Sequence, residues 1–210
     1  MTGIVIATLL AAAGTCSAEN IRLPPPDGDS GTTVMQALAA RRSERAYSDK
    51  ELPLKTISGL LWAANGFNRP GKRTNATARN IQEISVYACM KSGAYRYDAA
   101  ANTLVKVCDE DLRPAVASKQ AYAATAPLVL VIVADISNPI YHQGAQPVMT
   151  PYYDAGIVSG NIYLYCAANS LATVCRAMMD REALKKALKL PDSTVLQLNH
   201  PVGFPRKPGS

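Results

Sequence analysis

The sequence has 210 residues, 48% hydrophobic and 18% charged, with a formal net charge of +6. That length and apolar share suit one globular domain with a sizeable core. The basic balance allows an anionic partner, but the chain has no long Lys/Arg run and no aromatic-plus-basic alternation, which argues against an extended nucleic-acid track. The arginines instead bunch as Arg41, Arg42 and Arg45, then as Arg69, Arg73 and Arg79, a pattern that favours discrete anion sites. Of the five cysteines, none forms a C-x-x-C pair and no histidine stands at zinc-like spacing from them. They read as small core residues, and a Cys89–Cys108 bridge would need the two on neighbouring strands.

Residues Ile4 to Ala13 are nearly all apolar, and small residues follow to Ala18. The pattern predicts a signal peptide over 1–18 and an exported, periplasmic protein, because the run is too short to span a bilayer as a stable helix. No Lys or Arg precedes the run, so a cytoplasmic protein is the alternative. Lipidation of Cys16 is a further reading, although Ala13-Gly14-Thr15-Cys16 fits a lipobox poorly, and a buried N-terminal helix is another. Residues 19–31 are rich in Pro and Gly and read as an extended arm, leaving 32–210 as the single domain.

Thr32 or Thr33 can cap a helix in which Val34, Ala37, Leu38 and Arg41 share a face. Pro53 suits the start of a second helix, with Leu54, Ile57, Leu60, Leu61 and Ala64 as its apolar stripe and Asn65-Gly66 as its stop. Trp62 lies off that stripe, at the core edge, at a dimer interface or against a ligand. Phe67 to Asn80 reads as a long basic loop. Glu83 to Lys91 alternates as a strand, and Tyr95–Tyr97 and Leu104–Val107 suggest two more about a turn. Asp109 to Ala124 is a helix candidate interrupted by Pro114. Leu128 to Ala134 is continuously apolar, as a fully buried central strand would be. Ser137 to Pro151 reads as loop, Asp154 to Ser170 as a long helix, and Leu171 to Met178 as loop with a short strand. Asp180 caps a helix over Arg181–Leu188, and Thr194 to Leu198 forms the last strand. The two histidines, His142 and His200, read as surface loop residues. Irregular interleaving with an early hairpin predicts an α+β sandwich on a mixed or mostly antiparallel sheet.

The chemistry gathers at Arg41-Arg42-Ser43-Glu44-Arg45. A guanidinium is a planar fork of donors that suits phosphate, and a serine hydroxyl adds a short donor. The same cluster also reads as a solvated basic patch at a helix C-terminus.

Several stretches carry a resemblance to a known family: Ala-Leu-Ala-Ala-Arg-Arg-Ser-Glu-Arg-Ala-Tyr from Ala37, Leu-Leu-Trp-Ala-Ala-Asn-Gly-Phe-Asn-Arg from Leu60, and Thr-Ala-Arg-Asn-Ile-Gln from Thr77. Asp154-Ala155-Gly156 with Asn161, Leu171-Ala172-Thr173-Val174, and Val-Gly-Phe-Pro-Arg from Val202 complete the set. In this order, from Thr33 to Arg206, they resemble the nitroreductase-like, FMN-dependent flavoproteins, and in particular the compact branch. The resemblance implies a nitroreductase-like α+β sandwich, dimeric, with FMN in the interface. It implies that Arg41, Ser43 and Arg45 hold the phosphate and ribityl chain, that Arg42 lies at the phosphate or the pyrimidine edge, and that Arg206 is a late phosphate-binding cation. Asn80 matches the asparagine at the flavin ring edge, with Gln82 as a weaker match. Val174, Cys175 and Ala177 match the stretch whose backbone runs along the ring and donates toward N5. Ala177 stands where the family usually has Gly, while Ser170 and Gly160 stand where related chains often have Gly and Gln.

The resemblance further implies two half-reactions in one pocket. A donor, NAD(P)H in the family, passes a hydride to flavin N5 and leaves; a nitroaromatic, quinone or similar flat acceptor then takes the electrons. No side-chain acid or base is required, so no catalytic residue is named. Trp62, Phe67 and Asn68 are the candidate substrate contacts. An exported protein would need another donor, such as a quinol or a second flavoprotein. An exported flavin-binding protein without turnover is the rival reading.

Overall fold

A computed structural model describes residues 19–27, 31–143 and 149–206. The expected leader over 1–18, with Cys16, lies outside the described residues. In chain order come β1 (Ile21–Arg22), α1 (Val34–Ala40), α2 (Leu54–Asn65), β2 (Phe67–Arg69), β3 (Lys72–Arg73), β4 (Ile84–Met90), β5 (Gly93–Asp98) and β6 (Thr103–Cys108). Then follow α3 (Arg113–Ala117), β7 (Leu128–Asp135), α4 (Thr150–Ala168), β8 (Ala172–Thr173), α5 (Arg181–Ala187) and β9 (Thr194–Gly203). Short 3₁₀ turns cover Ala78–Asn80, Ala121–Thr125 and Pro139–His142.

Seven strands form one sheet in the order β1-β6-β5-β4-β7-β9-β8, and every pairing is antiparallel. The apolar run of β7 is buried on both faces because helices or loops cover each side. Leu128, Leu130, Ile132 and Ala134 face a cluster with Leu60 and Leu61 of α2 and Ala155, Val158 and Ile162 of α4. Val129, Val131 and Val133 face Val116 of α3, Leu184 of α5 and Tyr47. The architecture is the expected α+β sandwich. Among the described residues, no helix is long and apolar enough to cross a membrane.

Local chemistry accounts for the helix ends. Thr33 and Gln36 form a capping box at α1: Gln36 N–H donates to Thr33 Oγ1 at 3.2 Å and Thr33 N–H donates to Gln36 Oε1 at 2.8 Å. Only Ala37 of α1 is buried, while Val34 and Leu38 of its expected face are exposed, since this short helix rests chiefly on α4. Asp180 caps α5 through the Ala183 N–H at 3.1 Å.

Four expectations change. Phe67–Asn80 is not an open loop. Phe67 pairs with Arg73 across a tight turn at Gly71 (φ 66°), and the Arg73 guanidinium stacks 4.1 Å from the Phe67 ring centroid. The Asp109–Ala124 helix is reduced to α3 and a 3₁₀ turn, because Ser118 takes a left-handed φ of 51° and ends the helix. β9 runs through Pro201 to Gly203, with Pro201 lying between the β8 pairing and the Arg176–Asn199 bridge. His200 therefore sits inside a strand and is wholly buried, unlike the exposed His142. Cys89 and Cys108 are both free thiols: each stands opposite Ala94, so β5 lies between them.

Candidate functional site

Beyond α1 the chain turns extended at Arg41 (φ −59°, ψ 124°), and the next residues are stitched to the end of the fold. Glu44 N–H donates to Thr173 O at 2.9 Å, Ser48 N–H to Phe204 O at 2.9 Å, and Arg206 N–H to Ala46 O at 3.2 Å. Tyr47 is buried, forms a bridge with Pro205, and donates its hydroxyl to Glu44 O at 2.9 Å. Arg206 Nε donates to Tyr47 O at 3.2 Å. The structure thus lays the Arg41–Arg45 segment along the C-terminal end of the fold, with Arg206 bonded to Ala46 and Tyr47 just past Arg45.

Tyr163 of α4 joins this segment to the Val174–Ala177 stretch. Its hydroxyl lies 2.8 Å from Ser43 Oγ and accepts the Cys175 N–H at 2.8 Å. Arg41 lies 5.3 Å over the Tyr163 ring. Behind it, His200 meets that ring edge-on at 5.2 Å and is held by Ser159 Oγ at Nε2 (2.8 Å) and Thr173 Oγ1 at Nδ1 (3.2 Å). Burial lowers the His200 pKa to about 3, so the imidazole is neutral at physiological pH. A recess of about 150 Å³ opens here between Arg42, Glu44, Tyr163, Thr173 and Pro205.

The cations differ in how they are engaged. Arg42 is paired with Glu44, Nε and Nη2 each 2.7 Å from Oε1. Arg41, Arg45 and Arg206 are exposed and belong to none of the ion pairs among the described residues. Val174 is buried and Cys175 half-buried. Ala177 is exposed, has no positive φ, and gives its carbonyl to Arg181 at 3.3 Å, so its backbone does not require glycine. Ser170 does adopt a left-handed φ of 54° just past α4, where glycine would be unstrained.

Asn80 and Gln82 form a second group. Arg79, Asn80 and Gln82 have φ of 53°, 58° and 59°, a strained run costing about 1–3 kcal/mol per residue. Gln82 Nε2 donates to Gly71 O at 2.8 Å and to Asn80 Oδ1 at 3.0 Å, while Arg73 Nε donates to Gln82 Oε1 at 3.0 Å. This turn meets α4 at its other end, where Ala78 N–H donates to Asp154 Oδ2 at 3.2 Å. Asp154 and Tyr163 are nine residues apart, about 13.5 Å of helical rise.

Trp62 and Asn68 line a cleft of about 370 Å³ with Val34, Thr74, Asn161 and Leu164. Trp62 Nε1 donates to Phe67 O at 3.0 Å, so the indole braces the hairpin, while the Phe67 ring is covered by Arg73.

Sequence reasoning missed Tyr163 and Arg176. Four tyrosines fall within α4, and nothing in their spacing marks one that joins three segments. Arg176 is buried without any carboxylate. Nε donates to Gln120 Oε1 (2.7 Å), Nη1 to Asn199 Oδ1 (2.7 Å) and Val116 O (3.2 Å), and Nη2 to Ala117 O (2.8 Å). It fixes the Val174–Ala177 stretch to α3 and the turn after it.

The family model of the nitroreductases matches residues 38–204. A Methanocaldococcus jannaschii protein named as a nitroreductase is 27% identical over 176 residues, covering 79% of this chain and 88% of its own. A structure from Ralstonia eutropha, likewise named a nitroreductase, is 34% identical with a TM-score of 0.80, covering 96% of this chain and 97% of its own. The NADPH:FMN oxidoreductase of Vibrio harveyi, solved with NAD+, shares the fold at 16% identity and a TM-score of 0.61, covering 83% of this chain and 69% of its own. With that match over most of its length, the chain belongs to the nitroreductase family and is an oxidoreductase.

Proposed function

We propose that the protein is an FMN-dependent oxidoreductase. It takes reducing equivalents from a reduced donor, NAD(P)H by family analogy, and passes them to a nitroaromatic, quinone or similar flat acceptor. The observation that carries this reading is that Tyr163 gathers Arg41, Ser43 and the Cys175 segment, while Arg206 is bonded to Ala46 and Tyr47, directly after Arg45.

The residues fit the cofactor. Exposed guanidinium groups free of carboxylate partners, with a serine hydroxyl between them, suit a phosphate monoester through charge-assisted hydrogen bonds. The recess of about 150 Å³ is smaller than the roughly 300–1,000 Å³ of drug-sized ligand sites, and suits the anionic end of a longer molecule. In the strained turn farther along α4, Asn80 keeps an amide N–H and an oxygen lone pair for a heteroaromatic edge, while the Gln82 amide is engaged with Gly71, Asn80 and Arg73. Bound FMN would supply the redox chemistry. The chain itself would anchor the phosphate, orient the ring and shape the acceptor cleft, with Trp62 and Asn68 lining that cleft and the Phe67 ring covered by Arg73 beside it.

We also propose a homodimer. Val34, Met35 and Leu38 of α1 and Tyr153 and Ile157 of α4 are exposed apolar side chains on helices that pack on one another. Gly156 and Gly160 leave open space between them for a second copy. The apolar run Ile4–Ala13 supports export to the periplasm; an exported protein would draw electrons from a quinol or another flavoprotein in the cell, with NADPH as the reductant in vitro.

Absorbance of the purified protein, before and after anaerobic NADPH, tests the reading. Flavin bands that bleach with NADPH are expected. Bands that bleach only with dithionite would favour a different donor or a flavin-binding role without turnover. No bands after FMN is supplied would overturn the assignment of Arg41, Ser43, Arg45 and Asn80.

A further inference from the structure

The strained turn at Asn80 is held from below by two buried acids. Glu83, just ahead of β4, is 6% exposed, and Asp154, in the second turn of α4, is 5% exposed. Asp154 Oδ2 accepts the Ala78 N–H at 3.2 Å, at the start of the turn. Glu83 O accepts the Asp135 N–H at 3.0 Å, at its end. Between them Gln82 N–H donates to Thr77 Oγ1 at 3.2 Å.

The Glu83 carboxyl faces Asp154 and the Tyr141 hydroxyl, yet neither of its oxygens, nor the Tyr141 oxygen, has a hydrogen-bond partner among the described residues. No Lys or Arg pairs with either acid among the described ion pairs. The other nearby charge is Asp135, at the end of β7; against burial, hydrogen bonds from Ser137 and Ser193 hold its carboxyl below the usual range. An ionised carboxylate can only accept hydrogen bonds. Two such groups facing each other in a buried place, with no cation, cannot both stay charged. Burial, and then the facing Asp154, push Glu83 above the usual carboxylate range. Burial, and then Glu83 and Asp154, raise Tyr141, so the phenol stays neutral; its O–H pulls Glu83 down, by less than burial and Asp154 push it up.

We propose that Glu83 carries a proton toward Asp154 and that the two act as a positioning pair for the Asn80–Gln82 turn, so that loss of the proton loosens the turn. Protonated Glu83 supplies the missing O–H donor, while Asp154 keeps its bond to Ala78. As far as the turn meets a flavin, this rests on the function proposed above; the turn's own order does not.

Amide hydrogen exchange of residues 78–82 in the ligand-free protein, corrected for intrinsic pH dependence, tests the pair directly. The wild type should show exchange that rises about tenfold per pH unit above a single-proton step. Glu83→Gln, which replaces the Glu83 proton with an amide donor, should remove the step. Asp154→Asn, which keeps an oxygen for Ala78, should remove it too and serves if the first variant folds poorly. FMN affinity, titrated by fluorescence, should weaken over the same step in the wild type and stay flat in Glu83→Gln. An exchange step with no FMN binding at any pH would support the pair and sink the flavin reading. Exchange profiles that coincide in the wild type and both variants would overturn the pair.

Discussion

Tyr163 Oη sits 2.8 Å from both Ser43 Oγ and Cys175 N, so a single phenol on α4 ties together two segments more than a hundred positions apart. Replacing Tyr163 with Phe removes both bonds and keeps the ring that Arg41 and His200 contact. At about 1 kcal/mol per bond, FMN affinity should fall about 5–30-fold. The Cys175 amide should exchange faster with or without ligand, a change that exchange mass spectrometry reads separately from affinity.

Arg45→Ala and Arg206→Ala should each weaken FMN binding by about tenfold or more, since a charge-assisted hydrogen bond is worth about 1.5–3 kcal/mol. Arg42→Ala should cost less, because its guanidinium is already taken up by Glu44. Titrations at low and high salt should show the wild-type affinity falling with ionic strength more steeply than that of either single variant.

Arg176→Met should lower stability by about 2 kcal/mol or more, because it strands Asn199 Oδ1 and takes the guanidinium donor from Val116 O, while Gln120 Oε1 keeps the Tyr122 O–H and Ala117 O keeps the Gln120 N–H. Arg176→Lys should rescue little of this. One ammonium cannot reach four acceptors laid out for a planar fork. Denaturant unfolding checks both variants.

His200 makes the fold acid-sensitive. The unfolded chain takes up this proton near 6.5, whereas the folded chain resists it down to about 3. The stability it confers is full above the unfolded value and is lost as pH falls through that window, by up to about 1.4 kcal/mol per pH unit. His200→Gln should flatten that slope even while lowering stability at neutral pH. Denaturant unfolding at a series of pH values measures the slope.

Much of the framework could be read from periodicity. The β7 run, the stripe of α2 and the cap at Asp180 each carry their own local signal. What could not be read are the features set by distant contacts. Phe67–Asn80 has a loop's composition, but Arg73 stacking on Phe67 turns it into a hairpin. His200 has no local mark of burial; its partners Ser159 and Thr173 come from α4 and β8. The arginine cluster was visible as composition, yet which arginine is spoken for depends on Glu44. The proximity of Glu83 to Asp154 follows from the packing of α4 on the sheet, which no spacing in the sequence encodes.

The bridge between Tyr47 and Pro205, with Arg206 bonded across 159 positions, sets the order in which this molecule can mature. On a ribosome the arginine segment emerges early, but its anchors at Tyr163, Thr173 and Arg206 emerge much later. Pairings this distant in sequence close slowly, after local structure has formed. The basic segment is therefore made long before the neighbours that shape it, and the site is completed only with the last strand and the residues that follow it.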